Sequence, residues 1–100
     1  MCGAPAQAPE LPAHVDINKE TVIYGTVTKD GAPVPAAYVR LLDSTGEFTA
    51  EVVSSPEGVF RFFAAPGSWT LRALSRSGNG EVVVDATVGV NEVGLSVSPA

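Results

Sequence analysis

The chain has 100 residues, 45% hydrophobic and 17% charged, which suffices for one domain with a modest core and excludes a disordered or purely solvating chain. Six Lys and Arg against 11 Asp and Glu leave a net charge of -5. Nucleic acid and anionic membrane surfaces both attract clustered cations, so neither is expected as a partner.

Residues 1–14 read as a flexible tail, because Pro5, Pro9 and Pro12 interrupt a helix and the Ala, Gly and Gln between them offer little to pack. No basic residue precedes an apolar core there, so no signal peptide is expected, and no run approaches the ~20 apolar residues of a membrane span. A single cysteine, Cys2, provides no internal disulfide. The expected location is the cytoplasm, where a lone thiol stays reduced.

The domain is expected over residues 15–100, with Val15 to Glu20 as an extended lead-in. From Thr21 onward the hydrophobic period is two, and it recurs in seven runs: 21–28, 36–42, 47–53, 59–63, 68–74, 81–88 and 92–97. Each run stops at a turn-forming cluster. Asp30-Gly31 suits the positive φ of a tight turn. Asp43 to Gly46, Ser54 to Gly58, Ala64 to Gly67, Ser75 to Gly80 and Gly89 to Asn91 close the others. No apolar stripe with helical spacing is long enough for a helix. These features predict an all-β, seven-stranded antiparallel sandwich.

Alternation separates the two faces of each strand. Val39 and Leu41, then Phe48, Ala50 and Val52, Phe60 and Phe62, and Trp69, Leu71 and Ala73 are expected in the inner layer. Val82, Val84, Ala86, Val93, Leu95 and Val97 are expected to face them. The opposite parity is not simply polar. It reads Tyr38, Arg40 and Leu42; Glu51 and Val53; Val59, Arg61 and Phe63; Thr70, Arg72 and Leu74. Two readings stay open. Tail and loops cover this surface with help from arginine stems, or Tyr38, Arg40, Arg61, Phe63 and Arg72 form one protein-binding or dimer face. The second assumes that all these strands share a sheet.

Catalytic chemistry has little support. The only histidine, His14, lies at the edge of the tail, with Asp16 nearby but no nucleophile elbow anywhere. Cys2, Glu10, His14 and Asp16 lack the spacing of a metal site, Asp43 to Glu47 reads as a hairpin turn, and Ser77 to Gly80 lacks the rest of a phosphate loop. No catalytic residue, metal or cofactor is therefore assigned. Cys2 is the one candidate reactive group: removal of Met1 would set its thiol beside a protonated α-amine, which favours the thiolate.

The stretch Gly25-x-Val27-x-x-Asp30-Gly31-x-Pro33-Val34-x-Ala36-Ala37-x-Val39-x-Leu41, with Gly58-x-Phe60-x-Phe62 and Gly67-x-Trp69-x-Leu71, resembles carboxypeptidase-regulatory or transthyretin-like domains. That resemblance implies a prealbumin-like sandwich and says little of function. The Tyr-Arg-Gly-Ser ending of the related hydrolases is replaced by Val97-Ser98-Pro99-Ala100, which removes that activity from consideration. Over nearly the whole chain, Met1-Cys2-Gly3, Lys19-Glu20-Thr21-Val22-Ile23, Tyr38-Val39-Arg40-Leu41-Leu42-Asp43-Ser44 and Phe60 to Thr70 resemble an actinobacterial family of unassigned function that is associated with rhodanese-type thiosulfate sulfurtransferases. The resemblance implies a cytoplasmic sulfur-handling context and a sulfurtransferase partner. It carries no agreed catalytic residues.

The leading expectation is a non-enzymatic accessory protein that docks on such an enzyme, with Cys2 as candidate sulfane-sulfur acceptor. The alternatives are a structural or homo-oligomeric sandwich, and a binder of metal or anions through the tail ligands or the arginine face.

Overall fold

A computed structural model describes residues 19–99. Eight strands follow in order: β1 (Thr21–Lys29), β2 (Ala32–Pro33), β3 (Tyr38–Leu42), β4 (Phe48–Val53), β5 (Val59–Ala64), β6 (Gly67–Ser75), β7 (Gly78–Ala86) and β8 (Gly89–Ser96). There is no helix among the described residues. The strand additional to the seven expected is the two-residue β2. It pairs with the end of β1 because Asp30 (φ 51°) and Gly31 (φ 84°) form a two-residue turn with both central residues left-handed.

The strands divide into two layers. One sheet runs β4-β3-β6-β7, entirely antiparallel; in the other, β1 lies between β5 and β8 and also pairs with β2. The expectation of a wholly antiparallel sandwich is corrected here, because β8 runs parallel to β1 from Thr21↔Gly89 to Thr28↔Ser96. The Asn91 side chain fixes that entry. Its Nδ2 donates to the carbonyls of Val22 (3.0 Å) and Thr87 (2.8 Å), and its Oδ1 accepts from the Thr87 N–H (3.1 Å).

Between the layers lies one core: Ile23, Val27, Val39, Leu41, Val52, Phe60, Phe62, Leu71, Ala73, Ala86, Leu95 and Val97 are buried, with Ala50, Trp69, Val82, Val84 and Val93 packed against them. The two layers differ from the expected ones, because Phe60 and Phe62 on β5 lie in the sheet opposite Val39, Leu41 and Leu71, while Val82, Val84 and Ala86 on β7 share a sheet with those three. Alternation nevertheless assigns the core-facing side of each strand correctly at every position but one. Phe48 is 61% exposed. The register shifts between Leu41↔Ala50 and Leu42↔Phe48, so Thr49 is an extra residue in β4. This bulge reverses the phase of the strand and turns Phe48 to the outer side with Leu42.

The Ser54–Gly58 segment takes the chain from one sheet to the other instead of closing a hairpin. Ser55 closes its turn by accepting from the Gly58 N–H (2.8 Å), while Ser54, itself buried, holds the β2–β3 connection. Ser54 Oγ donates to the Val34 carbonyl (2.8 Å) and accepts from the Ala37 N–H (2.8 Å). β5 then pairs with β1, from Thr21↔Ala64 to Thr26↔Val59.

Candidate interaction surface

The outer side of the β4-β3-β6-β7 sheet carries a row of four charges in register. Glu51 pairs with Arg40, Arg40 with Arg72, and Arg72 with Glu81. Two like charges directly opposite each other on neighbouring strands repel. Here each arginine is turned to its outer neighbour: Arg40 Nε donates to Glu51 Oε2 at 2.8 Å, and Arg72 donates to Glu81 Oε2 through Nε (3.1 Å) and Nη2 (2.7 Å). The row is neutral overall. Its side chains are partly exposed to solvent, so each pair contributes at most about 1 kcal/mol to folding. Its consequence is to present guanidinium donors in a fixed, charge-balanced line.

Apolar groups bracket this line. On one side the register row is Val53, Tyr38, Leu74 and Asn79; on the other it is Phe48, Leu42, Thr70 and Val83. Tyr38 is 42% exposed, Phe48 61% and Val83 63%, whereas Leu42 is buried beneath this surface. A flat sheet face with aromatic and aliphatic groups around arginines has the composition of a protein-binding patch.

Arg61 and Phe63 do not belong to it. They lie on β5, in the opposite sheet, where Tyr24↔Arg61 and Val22↔Phe63 are neighbours and the Arg61 guanidinium carbon lies 6.0 Å from the centroid of the Phe63 ring. The expected single face of Tyr38, Arg40, Arg61, Phe63 and Arg72 is thus two faces on opposite sides of the sandwich. Alternation fixes which way a side chain points from its strand but not which sheet the strand joins. The crossing at Ser54–Gly58 separates the two groups. Phe48 and Val83 are the members of the surface that sequence reasoning misplaced or left out, and the bulge that exposes Phe48 has no signal in the hydrophobic pattern.

Cys2, together with Glu10, His14 and Asp16, lies outside the described residues. Among the described residues no group of three His, Cys, Asp or Glu side chains comes together to hold a metal ion. The Asp43 loop is a turn, as its sequence indicates. Its Oδ1 accepts from the Thr45 hydroxyl (2.6 Å), the Thr45 N–H (2.9 Å) and the Glu47 N–H (3.0 Å). The Thr45 hydroxyl, then the Glu47 and Thr45 amides, hold the Asp43 carboxyl below its ordinary pKa of 3.8.

With this geometry, residues 2–97 match the family described as a protein of unknown function, DUF1416. The chain belongs to this family. Two proteins of Mycobacterium tuberculosis, each described as uncharacterized, are 59% identical to it over 100 residues, covering 98% of this chain and 100% of each relative. A Mycolicibacterium smegmatis protein with the same description is 58% identical over 90 residues, covering 88% of this chain and 100% of the relative. The fold of this DUF1416 member is similar to a DUF3823 family protein from Parabacteroides merdae, with a TM-score of 0.61 and 24% identity over 80% of this chain and 46% of that one. It is also similar to catechol 1,2-dioxygenase from Pseudomonas arvilla, with a TM-score of 0.51 and 14% identity over 98% of this chain and 57% of that one. The chain spans about half the length of these two structures, and the likeness concerns fold alone.

Proposed function

We propose that this DUF1416 protein is a non-enzymatic interaction module of the prealbumin-like type, docking through the outer side of its β4-β3-β6-β7 sheet on a rhodanese-type thiosulfate sulfurtransferase in the cytoplasm. The observation that carries the docking reading is the charge-balanced Glu51-Arg40-Arg72-Glu81 row set between exposed Tyr38, Phe48 and Val83. The sulfurtransferase comes from the sequence resemblance. Two four-stranded layers with β1 and β8 parallel support the prealbumin-like reading.

The same row favours a different protein over a second copy. A two-fold axis along the row, or across its centre at right angles to it, stacks arginine on arginine and glutamate on glutamate, and a slide by one strand still leaves one arginine on another. A distinct partner carrying the complementary pattern meets no such conflict.

Cys2 is the proposed sulfur acceptor. Its thiolate attacks the outer sulfur of the enzyme's cysteine persulfide, a new S–S bond forms on Cys2, the enzyme's S–S bond breaks, and the enzyme thiolate leaves. One sulfane sulfur changes hands with no net oxidation. Intact-mass spectrometry before and after incubation with thiosulfate and the sulfurtransferase tests the transfer. A reductant-sensitive gain of one sulfur atom, absent in Cys2→Ser, is expected; no gain with an active enzyme removes the carrier role. Sedimentation velocity on the mixture tests docking separately, with a complex expected and a sole self-associated species favouring the homo-oligomeric module.

A further inference from the structure

A second feature lies at one end of the sandwich, beyond the charge row. The β2–β3 connection and the β6–β7 turn enclose an open groove of about 610 Å³ lined by Val34, Pro35, Ala36, Tyr38, Leu74 and the Ser75–Ser77 turn with Arg76. Its volume is in the range of small-molecule sites.

Both walls are held in place. On one side Ala36 adopts φ 57°, a left-handed conformation that an alanine enters at a cost. It stays there because its N–H donates to the Ser54 carbonyl (3.2 Å), while Ser54 Oγ links the Val34 carbonyl to the Ala37 N–H. On the other side Ser75 Oγ donates to the Gly78 carbonyl (2.8 Å) and accepts from the Ser77 N–H (3.1 Å), which pins the turn that carries Arg76. A ligand entering between pinned walls has little backbone to order.

The charge of the groove differs from that of the nearby row. The salt bridges among the described residues occupy Arg40 and Arg72 and leave out the exposed Arg76. A guanidinium that forms no salt bridge with a carboxylate among the described residues stands at the rim of an apolar trough in a chain whose net charge is -5. Apolar walls that a ligand would cover reward a hydrophobic body, and the fork of Arg76 rewards a planar anion.

We infer that this groove binds a small organic anion with an apolar, flat body, its carboxylate on Arg76 and its body along Val34, Pro35 and Leu74. This inference does not depend on a protein partner. The probe is 2-naphthoate, with the neutral 2-naphthamide as its uncharged counterpart, titrated into the full chain by calorimetry. Expected is saturable binding of one naphthoate per chain, weaker for the amide, and reduced about tenfold or more by Arg76→Gln, as loss of a charge-assisted hydrogen bond requires. Arg76→Lys should retain part of the affinity. Amide chemical shifts should move at Val34–Tyr38 and Leu74–Ser77. The inference is overturned by absence of saturable binding, by equal affinity for naphthoate and naphthamide, by unchanged binding in Arg76→Gln, or by shifts confined to other parts of the domain. Arg76 is exposed, so its replacement leaves the fold intact to be tested.

Discussion

Ser54→Ala tests how the crossing between the sheets is held. Ser54 is 3% exposed, and its hydroxyl joins two backbone groups of the β2–β3 connection, the Val34 carbonyl and the Ala37 N–H, both at 2.8 Å. Val34 and Ala37 are themselves buried, so water cannot readily replace the lost oxygen. An unsatisfied buried backbone group costs about 1–3 kcal/mol, and the hydroxyl's own desolvation is recovered on removal, so the net loss should be about 2–4 kcal/mol. For a domain of this size that lowers the Tm by about 8–30 °C. Urea denaturation should show a lower midpoint with an unchanged slope, since the surface exposed on unfolding is nearly the same. Ser44→Ala, in the exposed β3–β4 turn, should stay within about 0.5 kcal/mol of the parent. A loss below about 0.5 kcal/mol for Ser54→Ala would refute the reasoning.

Gly25 lies opposite both Phe60 and Val93, and a Cβ there would overlap the Val93 carbonyl oxygen and the Phe60 ring; Gly25→Ala should cost about 1–3 kcal/mol or more in thermal or urea unfolding. Ala36→Gly should leave stability unchanged or raise it by up to about 1 kcal/mol, as relief of the left-handed strain outweighs the added freedom of the unfolded chain. The Asp43 carboxyl should titrate below 3.8 by NMR; its stabilisation is complete above the unfolded pKa and is lost as pH falls through the lower folded pKa, so Asp43→Asn should flatten that acid limb. Phe48→Ser should leave stability within about 0.5 kcal/mol, because the ring is mostly in solvent, yet weaken association with the sulfurtransferase in sedimentation.

Much of the fold is legible in period-two alternation because burial on one face of a strand is a local constraint. Val39, Leu41, Phe60, Phe62, Leu71 and Ala73 are buried where their parity places them. Asp30-Gly31 makes its turn for an equally local reason, as the two residues hold φ values of 51° and 84°. The failures are all non-local. Phe48 faces outward because of a one-residue bulge opposite Leu42, which depends on how β3 and β4 pair. Arg61 and Phe63 leave the expected face because β5 pairs with β1, and nothing within residues 54–58 states which sheet the chain enters next. The parallel β1–β8 pair joins segments about seventy residues apart, as the Asn91–Val22 hydrogen bond shows. Ser54 reads as one of several turn-formers, and its structural role appears only through partners 17 and 20 residues away. The arginines were visible as unusual outer residues; their arrangement with Glu51 and Glu81 required the register.

The most direct measurement is a titration of isotopically labelled protein with the rhodanese-type sulfurtransferase, followed by amide chemical shifts and line broadening. The account predicts saturable changes centred on Tyr38, Arg40, Phe48, Arg72 and Val83, with the Tyr24–Arg61–Phe63 side unaffected. No change with an active enzyme, or changes centred on Arg61 and Phe63 instead, would contradict it.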